Sequence, residues 1–152
     1  MGIEIKIVRA SFSKQGKSPN EFGFSQGAGL LAAGFPYAAV IHIVVSDEAP
    51  VHSWRRVLVT EIVNSETGEV NPPREFWADM TPAELISRSF GRLRKACPNP
   101  RLGFAAVYMN GSGEWQSKVR GAEENQAVNT HIAEGLANYF RKNYSRFLDT
   151  PK

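Results

Sequence analysis

Residues 37–46 read YAAVIHIVVS, and this stretch decides the fold. Alternate positions carry branched apolar side chains on both sides of an extended backbone: Val40 and Val44 on one side, and Ile41, Ile43 and Val45 on the other. A strand that is apolar on both faces is typical of the middle of a sheet, where other elements cover it. We therefore predict a central strand over Tyr37–Ser46.

Further strands are predicted on both sides of this stretch along the chain. Near the N-terminus, isoleucines alternate with charged residues, which is typical of a half-buried strand. Near the C-terminus, two apolar runs flank Asn110-Gly111-Ser112-Gly113, a hairpin signal because Asn and Gly tolerate the positive φ of a tight turn. The predicted strands are Gly2–Arg9, Tyr37–Ser46, Trp54–Asn64, Leu102–Met109 and Trp115–Val119.

Two helices are legible in the sequence. The first covers Thr81–Cys97 and begins with a capping box, in which the Thr81 side chain accepts from the backbone N–H of Glu84. The second runs from about Glu123 to Phe147, with an apolar stripe on one side and cations in its last turns. A short helix over Ala28–Ala33 is predicted inside the long Gly- and Phe-rich segment 10–36.

This order of elements predicts an α+β protein with a mixed or antiparallel sheet of about five strands and two main helices packed on one face. A chain of 152 residues fits a single globular domain over 1–152. The hydrophobic content of 42% excludes a disordered chain, which lacks the apolar surface that offsets ordering entropy. A single cysteine, Cys97, excludes an intramolecular disulfide.

The composition also bears on compartment and cofactors. The N-terminus alternates and carries charge from Glu4, so it is not a signal peptide, and no apolar run is long enough to cross a bilayer. We predict a cytoplasmic protein that has no membrane contact. We predict no cofactor and no metal, because the glycine-rich segment lacks a P-loop lysine and the three histidines are widely spaced.

The charge is distributed unevenly along the chain. The formal net charge is +3, but the first 76 residues hold seven Lys/Arg and eight Asp/Glu, whereas the last 76 hold eleven and seven. On the Thr81–Cys97 helix, Arg88 and Arg92 lie opposite the apolar stripe at helical spacing. Such a cationic row attracts phosphates, although it is equally typical of a solvated helix face.

Two further clusters suit an anionic, aromatic ligand. Trp54 precedes Arg55 and Arg56, and guanidinium groups bind phosphate in a planar, bidentate manner. The predicted hairpin interleaves aromatic and cationic residues, a pattern that can bind a base and its phosphate together. The predicted ligand-binding residues are Trp54, Arg55, Arg56, Arg88, Arg92, Tyr108, Asn110, Trp115, Lys118 and Arg120.

These clusters predict a non-catalytic binding protein for a phosphate-bearing ligand, either nucleic acid or a small nucleotide. One alternative is a protein–protein interaction module or an inhibitor of a larger enzyme, which presents Phe22 and Phe24 to its partner. A second alternative is a small phosphoester hydrolase that uses His42 and His131 as base and acid. A homodimer is also expected, because a sheet that is apolar on both faces needs a second cover.

Overall fold

A computed structural model describes residues 1–14 and 21–148. The described residues form eight strands and four helices, with no helix long and apolar enough to span a membrane. In chain order the elements are β1 (Gly2–Ala10), α1 (Phe24–Ala32), β2 (Ala38–Ser46), β3 (Arg55–Val59), β4 (Ile62–Asn64), β5 (Glu69–Val70), β6 (Arg74–Ala78), α2 (Thr81–Ala96), β7 (Gly103–Met109), β8 (Trp115–Arg120), α3 (Thr130–Lys142) and α4 (Tyr144–Leu148).

The main sheet has four strands in the order β1-β2-β7-β8. β2 is parallel to both of its neighbours, β1 and β7, and β8 closes the sheet as the antiparallel partner of β7. The prediction of a central strand over residues 37–46 is confirmed, since β2 has a strand on each side. The predicted α+β class and mixed sheet are also confirmed, although this sheet has four strands rather than about five, and the other four strands form two separate two-stranded sheets.

Helices α1 and α2 pack on the same face of this sheet. The even-numbered residues of β2 and β7 point toward the helices, and Val40, Val44 and Phe104 form the core with Leu31 of α1 and Leu93 of α2. Both helices connect parallel strands, so they pack on the sheet as crossover connections usually do. The prediction that two helices pack on one face is confirmed by α1 and α2, rather than by α2 and the C-terminal helix.

The opposite side of the sheet carries the odd-numbered residues and is not covered by α1 or α2. We call this side the open face. It comprises Ile3, Ile5, Ile7, Arg9, Ala39, Ile41, Ile43, Val45, Gly103, Ala105, Val107, Met109, Trp115, Ser117 and Val119. The alternation in β1 is as predicted, but Ile5 and Ile7 are exposed, at 52% and 67%, while Glu4 and Lys6 face the helical side.

Residues Arg55–Ala78 form a hairpin outside the main sheet, which we call the arm. β3 pairs with β6 at its base, and β4 pairs with β5 nearer its tip. The strand predicted over Trp54–Asn64 is therefore two short strands of the arm rather than a member of the central sheet. No strand residue of the arm is buried, and its side chains include the exposed Leu58, Ile62 and Trp77.

The C-terminal helix differs most from its prediction. Residues 121–129, which we call the crossing segment, are not helical and pass the amino ends of β7 and β2. The backbone N–H of Glu123 donates to the Arg101 carbonyl at 3.0 Å, and that of Asn125 donates to the Pro36 carbonyl at 2.8 Å. α3 begins only at Thr130, because the Asn129 side chain caps it by accepting from the backbone N–H of His131.

The predicted capping box at the start of α2 is also wrong. Thr81 is already helical and follows Met80 as the N-cap residue, and its backbone N–H donates to the carboxylate of Asp79 at 2.8 Å, where the helix dipole favours a negative charge. The short helix predicted over Ala28–Ala33 is present as α1, which begins earlier, at Phe24. Phe147 belongs to the predicted apolar stripe of the last helix, and its side chain lies outside the described part of the structure.

Candidate functional site

The structure divides the ten predicted ligand-binding residues among separate places instead of one recess. Arg55 and Arg88 meet at the start of α2, and Arg56 lies on the arm. Lys118 and Arg120 lie on the helical side of β8, whereas Trp115 lies on the open face. Arg92 lies on α2. The remaining members lie near the carboxyl ends of the parallel strands: Trp54, Tyr108 and Asn110.

Arg55 and Arg88 share one carboxylate. The Glu84 side chain accepts from Arg55 Nη1 and from Arg88 Nη2, each at 2.8 Å. A cavity of about 330 Å³ opens beside them at the amino end of α2, with Ser53 and Thr81 in its wall. Both guanidinium groups lie at the amino end of α2, where the helix dipole also favours anions.

Arg56 points away from Arg55, as the alternation of a strand requires. Its guanidinium donates to the Glu75 carboxylate across the β3–β6 ladder at 3.2 Å. Both side chains of this pair are more than half exposed. The two neighbouring arginines therefore do not act as a joint clamp.

Arg120 has a structural role at the end of β8. Its Nη2 donates to the carbonyls of Pro100 at 2.7 Å and Leu102 at 2.9 Å, and its guanidinium lies 4.6 Å from the centre of the Phe104 ring. These contacts hold the loop before β7 against the end of β8. Lys118 lies nearby on the same side of the strand, with Nζ 5.8 Å from the Phe90 ring centre, and remains exposed.

Trp54, Tyr108 and Asn110 line a cavity of about 270 Å³ whose other walls are acidic. We call it the acidic pocket, after its carboxylates Glu48, Asp79 and Glu114. It lies at the carboxyl ends of β2 and β7, which is the edge of a parallel sheet where ligands commonly bind. Three residues predicted to bind a phosphate are therefore placed in surroundings that repel one.

The hydrogen bonds of the acidic pocket fix most of its groups. Asn110 Nδ2 donates to Glu114 Oε2 at 3.0 Å and to Glu48 Oε1 at 3.4 Å. Trp54 Nε1 donates to the Ala49 carbonyl at 3.1 Å. Burial raises the pKa of the Tyr108 phenol, and the charges of Asp79, Glu48, Glu114 and Asp47 raise it further.

The three carboxylates of this pocket were not among the residues predicted from the sequence. Glu48 follows the carboxyl end of the central strand, and Glu114 follows the hairpin turn. Since both positions border the carboxyl edge of the parallel strands, this position in the topology was the signal that could have identified them. Asp79 precedes α2 and was not predicted, because the capping role at the start of this helix was assigned to Thr81.

The residues of the two alternative hypotheses lie apart from this pocket. His42 is buried under the helices, where its Nε2 donates to the Phe22 carbonyl at 2.9 Å and its ring stacks on the Phe22 ring. His131 is exposed in the first turn of α3. Paired histidine chemistry stays a hypothesis that no contact here favours. Phe24 is buried in the core, so the prediction that it faces a partner is wrong, whereas Phe22 is half-buried and its predicted contact stays a prediction.

No group of His, Cys, Asp and Glu within residues 1–14 and 21–148 has the arrangement to hold a metal ion. Comparisons of this chain with protein-family models, with curated proteins and with solved structures find no match.

Proposed function

We propose that this protein is a protein–protein interaction module that associates with a second copy of itself through the open face. The observation that carries the proposal is the open face itself, whose fifteen residues include a single charged one, Arg9. Four strands at about 4.8 Å spacing and seven residues at about 3.3 Å give it an area on the order of 400 Å². An apolar patch of this size is comparable to the largest patch of a typical monomer, and such patches are often functional.

The total surface area supports this proposal. The accessible surface is 10595 Å² for a mass of 16.8 kDa. A compact monomer of this mass exposes about 7,700 Å², so the excess is roughly 2,900 Å². A stable interface needs about 800 Å² from each partner.

Helix α3 is the segment of a second copy that best fits this face. It is amphipathic, yet none of its residues is buried, and Leu136 and Tyr139 of its apolar side are exposed. A helix of 13 residues is about 20 Å long, which matches the width of about 19 Å for four strands. Reciprocal exchange, with each α3 on the other copy's sheet, covers both apolar surfaces and closes with two-fold symmetry.

The test is the mass of the protein in solution, measured by sedimentation equilibrium over a range of concentrations. Wild-type protein is expected to be a dimer, and Ile5→Lys on the open face is expected to raise the dissociation constant at least tenfold, because a charge is placed in an apolar contact. The matched control is Ile62→Lys on the arm, a position of similar exposure outside the open face. A wild-type monomer at all concentrations contradicts the proposal.

A second pair of variants tests the helix. Leu136→Asp, on the apolar side of α3, is expected to weaken the dimer as strongly as Ile5→Lys. Asn138→Asp, on the opposite side of the same helix, is the control and is expected to leave it unchanged. A dimer that is sensitive to Ile5→Lys but not to Leu136→Asp contradicts the helix exchange while leaving self-association in place.

The phosphate-bearing ligand is the second candidate function, and the cavity beside Arg55 and Arg88 favours it. We expect inorganic pyrophosphate or a short oligonucleotide to bind there at low salt, and binding to weaken steeply as salt is added. Arg55→Gln is expected to reduce affinity, whereas Arg56→Gln is the control, because the Arg56 guanidinium pairs with Glu75 and does not line the cavity. Equal loss in both variants, or no binding by isothermal titration calorimetry, contradicts this candidate.

A further inference from the structure

We propose that the acidic pocket at the carboxyl ends of β2 and β7 binds a small organic cation, an alkylammonium or guanidinium group, between Glu48 and Glu114. The pocket lies at an edge of the sheet on the side of α2, with Pro82 and Trp54 in its walls. It is therefore separate from the open face and goes beyond the proposed self-association.

The carboxylates of the acidic pocket form no ion pair with a cation among residues 1–14 and 21–148. Glu48 Oε1 and Glu114 Oε2 both accept from Asn110 Nδ2, at 3.4 Å and 3.0 Å, so these two oxygens are at most 6.4 Å apart, the sum of the two distances. No ion pair of the described chain reaches either carboxylate or Asp79. Carboxylates this close repel each other unless a cation lies near them.

The Tyr108 hydroxyl supports the proposal independently of the carboxylates. Tyr108 is only 2% exposed, it lines the pocket, and its hydroxyl has no hydrogen-bond partner among the residues that the structure describes. Because no fully buried side-chain oxygen or nitrogen of the described residues lacks a hydrogen-bond partner, the small exposed part of Tyr108 includes its oxygen, which is available to a ligand in the pocket. An N–H donor that reaches Tyr108 and one carboxylate together satisfies both groups.

The roles of the acidic groups differ. Both oxygens of Asp79 are already engaged by backbone N–H groups, of Ala49 at 3.1 Å and of Thr81 at 2.8 Å, so Asp79 contributes charge rather than a free acceptor. Glu48 also accepts from the Ser112 hydroxyl at 2.7 Å, which positions its carboxylate. Glu48 and Glu114 are therefore the direct partners of the ligand.

The shape and donor set favour an organic cation over a metal ion. A cavity of about 270 Å³ accommodates a small amine and is far larger than a single ion requires. The described acidic residues have no arrangement that holds a metal. The indole of Trp54 and the ring of Pro82 provide apolar walls for the alkyl part of the ligand.

The test is titration calorimetry at pH 7 and low salt with n-butylammonium, n-butylguanidinium and, as the neutral analogue, n-butanol. At least one of the two cations is expected to bind, and n-butanol is not. Glu48→Gln and Glu114→Gln are each expected to weaken binding at least tenfold, and Tyr108→Phe severalfold. Glu75→Gln on the arm is the matched control and is expected to change nothing.

Three results overturn the proposal. The first is n-butanol binding as tightly as the cations, which indicates an apolar crevice alone. The second is binding of Mg²⁺ or Ca²⁺ with no binding of either organic cation. The third is cation binding that survives both glutamate substitutions in variants whose circular dichroism shows a folded protein. None of these results bears on self-association, which is read from the mass of the same samples.

Discussion

Ile5 of β1 lies directly beside Ile41 of β2 in the parallel sheet, and both side chains belong to the open face. Ile5 is 52% exposed, although a strand that alternates isoleucine with charge normally buries its isoleucines. On β1 the charged Glu4 and Lys6 point toward the helical side instead, where they form an ion pair at 3.0 Å. The exposed isoleucines of β1 are therefore consistent with the proposed association, in which a second copy covers Ile5 and its neighbours.

The fluorescence of Trp115 tests whether a second copy covers the open face. It lies on the open face and is 66% exposed, so association is expected to move its indole into apolar surroundings and shift its emission to shorter wavelengths as concentration rises. The experiment uses Trp54→Phe/Trp77→Phe protein, in which Trp115 is the remaining tryptophan. Its counterpart, Trp54→Phe/Trp115→Phe, retains the equally exposed Trp77 of the arm and is expected to show no shift. A shift that is equal in both proteins contradicts the assignment of the interface to the open face.

The sequence predicted the elements of the main sheet because each one is decided locally. The two-sided apolar pattern of residues 37–46 and the hairpin signal at Asn110-Gly111-Ser112-Gly113 are confirmed as β2 and the β7–β8 turn. The arm was not predicted, because an exposed ladder of Val, Leu, Phe and Trp has the same pattern as a strand in a sheet. The late start of α3 was missed because its anchor, Asn129, contacts the distant Gly34.

The site was harder to predict, because charge along a sequence does not say which side of an element carries it. Trp115 and Lys118 are three positions apart on β8 and therefore lie on opposite faces of the sheet. Arg120 was counted as a free cation, but the carbonyls that it binds come from the loop before β7, which no pattern in the sequence connects to it. The net charge predicted attraction for anions. The topology of the sheet instead brings Glu48, Asp79 and Glu114 together at the carboxyl ends of β2 and β7.

His42 is expected to make stability depend on pH. Burial lowers its pKa below the ordinary 6.5, the hydrogen bond to the Phe22 carbonyl opposes this, and the charges of Arg92 and Lys6 lower it further. Because the unfolded chain then binds the proton more readily, stability is complete above about pH 6.5 and falls as the pH drops toward the folded-state pKa. The loss between pH 7.5 and 5.5 is at most about 1.4 kcal/mol.

Urea unfolding at the two pH values measures this effect as a difference between variants. His42→Gln retains a donor for the Phe22 carbonyl and is expected to remove this part of the pH dependence, while His131→Gln, at an exposed position, is expected to retain it. Identical pH dependence in wild-type protein and His42→Gln contradicts the prediction.

Gly34 is expected to be irreplaceable where the crossing segment meets the end of α1. Its φ is +96°, and an added Cβ would lie 2.4 Å from the Cβ of Asn129. Gly34→Ala is therefore expected to lower the free energy of unfolding by roughly 2–3 kcal/mol. Gly29→Ala, inside α1 with open space around it, is expected to raise it by about 0.5–1 kcal/mol. Chemical denaturation that shows the same change in both variants contradicts this explanation.

Arg120 allows a structural and a ligand-binding role to be separated by experiment. Its guanidinium donates to the carbonyls of Pro100 and Leu102 and lies over the Phe104 ring, and hydrogen bonds to a charged group contribute about 1.5–3 kcal/mol. Arg120→Gln is therefore expected to lower the free energy of unfolding, measured by urea denaturation, by about that amount. Lys118→Gln on the same strand is expected to change it by less than about 0.5 kcal/mol. Unchanged stability in Arg120→Gln, together with weaker binding of pyrophosphate, supports instead the ligand contact that the sequence predicted. A large loss of stability with pyrophosphate binding intact assigns Arg120 to the fold, because removing a phosphate contact alone leaves the unfolding transition where it was.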